Sequence, residues 1–318
     1  MGRPTIPILL SAFVAFAAVA PSFAEGDITA PGPEGDLHGT LLSAGDGAPV
    51  VLIVPGSGPT DRDGNSPMGI TARPYLLLAD GLAQRGISSV RIDKRGMFQS
   101  QAAVPDANAV TIADYATDIQ NWISAIREKT DVSCVWVLGH SEGALVALTA
   151  AQQPEDICGL VLVASPGRKA GDLLRAQLQA NPANAPMLPQ ALYAINMLEK
   201  GGAVDPSDLH PALAALFATE IQPFLRDLFR IDPSALMADV TVPTLILQGE
   251  SDLQVTLEDA QLLVAAKPDA DIVLLPGVNH VLKQAPKNDM AANFATYGDP
   301  DLPLGPGVLD AIETFIKR

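Results

Sequence analysis

The sequence predicts an α/β protein built on a mostly parallel, doubly wound sheet, and three observations predict it. Short apolar runs rich in β-branched residues alternate with stretches of helical period along most of the chain, as expected of a parallel sheet covered on both faces. Gly- and Pro-rich segments follow several of those runs. The third observation is Gly139-His140-Ser141-Glu142-Gly143, which stands directly between a strand-like run and a helix-like one. That is the setting of a nucleophile elbow, where a tight turn needs small residues on both sides of the serine.

Taken in order, strand-like runs at Leu37–Leu42 and Val50–Val54 precede a helix near Tyr75–Arg85 and a strand at Ser88–Ile92. The next helix places Ile112, Tyr115, Ile119, Trp122, Ile123 and Ile126 on one face, and Thr111 with Asp114 opens it in a capping-box pattern. The elbow unit follows: Cys134–Leu138, the motif, then the helix formers of Ala144–Ala150, with a further strand at Leu160–Ala164. Between Arg168 and Asp239 the alternation stops, and apolar residues such as Leu173, Leu188, Leu192, Phe217 and Phe224 recur at helical spacing. This predicts a helical cap over about residues 168–239, folded over Ser141, in which Leu188, Leu192, Phe217 and Phe224 are candidates for lining an acyl pocket. Strands at Thr244–Gln248 and Asp271–Leu275 and a last helix near Val308–Ile316 complete the chain, with no internal repeat.

At 318 residues with 48% hydrophobic content, the chain can bury a large core. Part of the apolar surplus is a targeting pattern: Arg3, an apolar run from Ile6 to Val19, then Pro21-Ser22-Phe23-Ala24. Residues 1–24 read as a signal peptide, residues 25–318 as one catalytic domain, and the mature protein as exported, into a bacterial periplasm or beyond. Loss of Arg3, the one charge in that segment, takes the formal charge from −16 to −17. Such an acidic chain is a poor partner for nucleic acid or an anionic membrane. Export also makes the two cysteines a candidate pair. Cys134 and Cys158 fall at the starts of two strands joined by the helix after the elbow, and adjacent strands lie at a separation that a disulfide spans. Two buried free thiols are the alternative.

A serine nucleophile needs a base, an acid to orient that base, and donors for the oxyanion. In the order that accompanies this elbow the acid follows a later strand and the histidine comes last. Gly249-Glu250-Ser251-Asp252 follows Thr244–Gln248, and Pro276-Gly277-Val278-Asn279-His280 follows Asp271–Leu275. Asp252 is therefore the expected acid, with Glu250 and Asp259 as neighbouring rivals, and His280 the expected base among four histidines. Both lie just past strand ends, where open α/β sheets bind ligands. The loop Pro55-Gly56-Ser57-Gly58-Pro59 ends another strand, and the backbone N–H groups of Ser57 and of Glu142 are the expected oxyanion donors. The chain shows neither metal-ligand spacing nor a phosphate-binding glycine fingerprint, so no cofactor is expected. Asp61, Arg62, Asp63 and Arg95 also follow strands. They form either a salt-bridge network or a substrate-binding cluster, and the network is favoured because Arg–carboxylate pairs fix loops well.

With these residues in view, the chain from Gly39 onward resembles an α/β-hydrolase of the bacterial serine esterase and serine aminopeptidase-like lineage. Besides the triad, the resemblance rests on Pro55-Gly-Ser-Gly-Pro-Thr-Asp-Arg-Asp63, on Arg91-Ile-Asp-Lys-Arg-Gly96 with Ser100, and on Gly249-Glu-Ser-Asp252. It implies a carboxylic ester hydrolase working on a small-molecule ester through an acyl-serine intermediate. An aminopeptidase or amidase of the same fold, for which the cap acids Glu199, Asp205, Asp208, Glu220 and Asp227 would offer an α-amino site, and a non-catalytic binding protein are the other readings. The chain departs from the family pattern at Phe98, where a second glycine is usual. It also lacks the His-Gly-Gly-Pro run and the Trp after the nucleophile that proline iminopeptidases carry.

Overall fold

Every residue of the run Val50–Val54 is buried, and its side chains divide by parity. Val50, Leu52 and Val54 enter one apolar cluster, whereas Val51 and Ile53 enter another. A strand with helices on both faces produces this division, because successive side chains point to opposite sides. The computed structural model describes residues 23–318, and in it this run is the third of eight strands in a single sheet.

In chain order the first elements are β1 (Ala24–Pro31), β2 (Asp36–Ser43), β3 (Val50–Val54), α1 (Pro74–Ala83), β4 (Ser88–Ile92), α2 (Ile112–Thr130), β5 (Val135–His140), α3 (Glu142–Ala150) and β6 (Ile157–Val163). Then come α4 (Ala170–Ala180), α5 (Leu188–Glu199), α6 (Gln222–Arg230), α7 (Pro233–Asp239), β7 (Thr244–Gly249), α8 (Leu257–Ala266), β8 (Asp271–Leu275), α9 (Met290–Ala295) and α10 (Val308–Ile316). Across the sheet the order is β1-β2-β4-β3-β5-β6-β7-β8. β1–β2 and β2–β4 pair antiparallel, and every other pair is parallel. β5 therefore ends near the middle of the sheet, with β3 on one side and β6 on the other. One face is covered by α2, α3, α7 and α8, the other by α1 and α10. The capping box expected at Thr111 and Asp114 opens α2.

The strand at Ala24–Pro31 is absent from the sequence reading. Only Ile28 and Ala30 of its eight residues are buried, and it becomes a strand by pairing along the whole of β2. Of the segment read as a signal peptide, residues 1–22 lie outside the described residues, and Ala24 is the first residue of β1. Among the described residues no helix is long and apolar enough to cross a membrane. Cys134, just before β5, and Cys158, in β6, are joined by a disulfide with their Cα atoms 5.2 Å apart.

Between β6 and β7 the chain is wholly helical. Ile195, Leu198, Leu213, Phe217 and Phe229 form a cluster of their own there, separate from both sheet faces. Phe217, a sequence candidate for substrate contact, is fully enclosed in that cluster. Phe224 packs against the main core instead. Among the bonds that anchor the segment are Ile112 N–H to Asp227 Oδ2 at 2.9 Å, Gln152 Nε2 to the Leu236 carbonyl at 3.1 Å and Gln177 Nε2 to the Gln254 carbonyl at 2.9 Å. The bond from Gln177 fastens α4 to the loop that carries Asp252.

Candidate active site

Ser141 sits at the junction of β5 and α3 with φ 55° and ψ −122°, backbone values that cost a non-glycine residue roughly 1–3 kcal/mol. The cost is sustained by packing. A Cβ added at Gly143 would lie 2.3 Å from the Val54 carbonyl oxygen, so only glycine lets α3 approach β3 this closely. Ser141 opens α3 without using its side chain as a cap, although serine favours that role. The hydroxyl is thereby left for other work.

Asp252 and His280 come together at the carboxyl end of the sheet. Asp252 Oδ2 is 2.8 Å from His280 Nδ1, with both residues buried. The other carboxylate oxygen accepts from Gln254 N–H at 2.7 Å and Val255 N–H at 3.0 Å, which fixes the carboxylate plane. Asp259, a rival acid by sequence, is engaged elsewhere: it caps α8 with Thr256 and binds Arg168 at 2.8 Å. The loops of acid and base are also tied to each other. Asn293 donates to the Ser251 carbonyl at 2.9 Å, and Asn279 donates to Asn293 Oδ1 at 3.2 Å and Thr296 Oγ1 at 2.8 Å.

A buried chain of polar groups links this pair to the elbow. Gly56 N–H donates to Tyr75 Oη at 3.1 Å, Tyr75 Oη lies 2.8 Å from His140 Nδ1, and His140 Nε2 lies 2.8 Å from the His280 carbonyl oxygen. A carbonyl only accepts, so Nε2 of His140 carries its proton and Nδ1 accepts from the tyrosine hydroxyl. Burial, and secondarily the facing His280, hold the His140 pKa down to about 3, so this imidazole is neutral. Burial likewise pushes the Tyr75 phenol up, so it keeps the proton it donates. The sequence by itself gives His140 only a place in the elbow motif and Tyr75 only a place on a helix. The one available signal was the adjacency of His140 to Ser141; Tyr75 is 65 residues away and carries no local mark.

The loop after β3 packs against the elbow. A Cβ on Gly56 would stand 3.3 Å from Ser141 Cβ, which brings the peptide joining Gly56 and Ser57 against the elbow. Among the described residues neither Ser57 N–H nor Glu142 N–H donates to a backbone acceptor.

The charged cluster noted by sequence consists of paired groups. Arg62 binds Asp93 at 2.5 Å, Arg91 binds Asp63 and Glu25, and Arg95 grips Asp118 through Nε at 2.7 Å and Nη2 at 2.6 Å. Asp61 accepts from the N–H groups of Asp63 and Asn65, closing the loop on itself. Phe98 adopts φ 46°, the left-handed conformation that the family's usual glycine takes without strain. Of the cap acids, Glu199 binds Arg175, Asp227 accepts from Ile112, and Asp205 accepts from Ser207. A cavity of about 400 Å³ opens on this segment between Tyr193, Val204, Asp205 and Asp208, and none of Ser141, Asp252 and His280 lines it. Among the described residues no cluster of three or more His, Cys, Asp or Glu is placed to hold a metal ion.

The alpha/beta hydrolase family model matches residues 50–291, from β3 past the loop of His280. The chain belongs to the alpha/beta hydrolase family. Esterase EstD of Thermotoga maritima is 28% identical over 268 residues, which is 82% of this chain. The match spans 60% of that relative's own length. Among solved structures, Est1E from Butyrivibrio proteoclasticus superposes with a TM-score of 0.57 at 17% identity, covering 92% of this chain and 98% of that one. The alpha/beta hydrolase GrgF from Penicillium sp. sh18 superposes with a TM-score of 0.57 at 18% identity, covering 81% and 91%. These structural likenesses establish the alpha/beta hydrolase fold.

Proposed function

We propose that this alpha/beta hydrolase is a serine esterase acting on small to medium acyl esters, with Ser141 as nucleophile, His280 as base and Asp252 as the acid that orients it. The observation that carries the reading is the 2.8 Å bond between Asp252 and His280, in loops beyond the carboxyl ends of β7 and β8, the same end of the sheet at which the strained Ser141 follows β5. With Nδ1 bound to the carboxylate, Nε2 of His280 is the nitrogen free to take the Ser141 proton as Oγ attacks the ester carbonyl. Ser57 N–H and Glu142 N–H receive the oxyanion, each such donor contributing about 3 kcal/mol in the transition state. Collapse breaks the bond to the alcohol, which leaves with the proton from His280. Water then repeats the sequence on the acyl-enzyme, giving the carboxylic acid and free Ser141. The name of the Thermotoga relative supports the ester as substrate class. Two of the five cap acids, Glu199 and Asp227, are engaged by Arg175 and by Ile112 N–H and are not available to an α-amino group, whereas Asp205 and Asp208 line the open cavity of the cap and keep an aminoacyl substrate as the second reading. Export into an oxidising compartment is part of the same proposal, supported by the disulfide.

A fluorophosphonate reaction on the purified protein, with peptide mass spectrometry and Ser141→Ala as control, tests the reading. A stoichiometric adduct on Ser141 supports it. A folded protein that forms no adduct overturns it.

A further inference from the structure

Lys94 lies two residues beyond β4, is 4% exposed, and takes no part in the chemistry above. Its ammonium donates to the Gly56 carbonyl oxygen at 2.7 Å and to Glu142 Oε1 at 3.3 Å. Glu142 is itself 5% exposed, and the Tyr115 ring centroid stands 5.3 Å from Nζ. Stability is a poor reason for such a pair, because apolar residues of similar volume commonly replace a buried ion pair without loss. The identity of its two partners offers a better one.

The Gly56 carbonyl belongs to the same peptide unit as Ser57 N–H. That unit is trans, as are all peptide bonds of the described residues, so its C=O and N–H point in opposite directions. A lysine holding the carbonyl on the buried side therefore turns Ser57 N–H the other way, toward the elbow that Gly56 abuts. Tyr75 Oη holds the preceding amide, Gly56 N–H, at 3.1 Å, so both groups through which the loop could rotate are engaged. A charge-assisted bond to the oxygen also polarises the peptide and makes its N–H a stronger donor. The other partner of Lys94 is the side chain of the residue whose N–H is the second donor.

We propose that Lys94 is a positioning residue for the oxyanion site: one buried ammonium sets the Gly56–Ser57 peptide and, through Glu142, the start of α3, so that both N–H donors converge on the substrate oxygen. The proposal rests on the serine-esterase reading of Ser141. It is tested with p-nitrophenyl butyrate as substrate and a trifluoromethyl ketone, which forms an oxyanion on the serine, as inhibitor. In Lys94→Met, or in Lys94→Met/Glu142→Gln if the single variant does not fold, kcat falls on the order of 10- to 100-fold. KM changes less than threefold, and the ketone weakens by the same factor as kcat. A folded variant with wild-type kcat, or one whose loss lies in KM alone, overturns the proposal. A crystal structure of the wild-type phosphonate adduct adds an arm that needs no variant. The phosphonyl oxygen should accept from Ser57 and Glu142 N–H while Lys94 still holds the Gly56 carbonyl, and a flipped Gly56–Ser57 peptide overturns the proposal. Failure of the wild-type enzyme to form any adduct is a different result: it removes Ser141 as nucleophile and the proposal with it.

Discussion

Tyr75 Oη and His140 Nδ1 are 2.8 Å apart in the buried interior, and through them the loop of Gly56 is coupled to the main chain of His280. Tyr75→Phe removes one hydroxyl and leaves Gly56 N–H and His140 Nδ1 without their partner. An unsatisfied buried group costs about 1–3 kcal/mol. The variant should therefore unfold at lower denaturant concentration and lose roughly 10-fold in kcat/KM for a short-chain ester, the rate equivalent of about 1.4 kcal/mol. Unchanged steady-state kinetics would show that the coupling has no part in turnover.

Acid sensitivity has an identifiable source in His140. Its folded pKa, held to about 3 by burial, lies below the value of about 6.5 for an unfolded histidine. The unfolded chain therefore binds the extra proton, and stability from this site is complete above about pH 6.5 and declines as pH falls toward 3. His140→Gln keeps a donor and an acceptor but does not titrate. Urea midpoints measured between pH 6.5 and 4 should fall less steeply for the variant than for the wild type, and parallel slopes would contradict the assignment.

Arg95 holds the buried carboxylate of Asp118 with two nitrogens. Arg95→Met strands that carboxylate, and removing one partner of a buried pair costs about 3–5 kcal/mol. Equilibrium unfolding should record a loss of that size, with relative rates across an acetate-to-octanoate ester series unchanged. A shift in chain-length preference without loss of stability would assign Arg95 to substrate instead.

The Cys134–Cys158 disulfide closes a loop with a sequence separation of 24 residues. A loop of that length is worth about 3 kcal/mol through restriction of the unfolded chain. Cys134→Ala/Cys158→Ala should lower stability by that order and leave kcat unaltered. Thiol titration of the unfolded, unreduced protein should find no free thiol.

Phe98 is strained at φ 46° and 43% exposed, so the strain is set against the part of its ring that the protein covers. Left-handed backbone costs an L-residue roughly 1–2 kcal/mol, against about 0.5–1 kcal/mol for the freedom that glycine adds to the unfolded chain. Phe98→Gly should raise stability by up to about 1 kcal/mol in thermal unfolding. A decrease would mean that the ring makes contacts outweighing its strain.

Local pattern carried most of the architecture. Val50–Val54 and Thr244–Gly249 are buried on both faces, so their apolar runs declare them without reference to neighbours. Ser141, Asp252 and His280 are candidates by sequence because each follows a strand end that punctuation marks, and helical period separates Asp259 from Asp252; the structure then joins Asp252 to His280. What stayed hidden depends on partners distant in sequence. Ala24–Pro31 has few apolar residues, and β2 makes it a strand. Tyr75 and Lys94 look like an ordinary helix residue and an ordinary loop charge. Only the sheet brings them to Gly56, 19 and 38 residues away.

The helices between β6 and β7 contain none of Ser141, Asp252 and His280, and they fill their own apolar interior around Phe217 and Leu198. The chain thus separates two kinds of information. The parts that would perform the reaction are written in loops at strand ends, under close geometric constraint, whereas the helical segment answers to a different set of packing demands. Grafting the corresponding segment from another member of the family between β6 and β7 tests whether that segment sets what is admitted: a changed ester preference would assign it the role, and an unchanged one would deny it. The interior of that segment can therefore be repacked without altering the sequence around Ser141, Asp252 and His280.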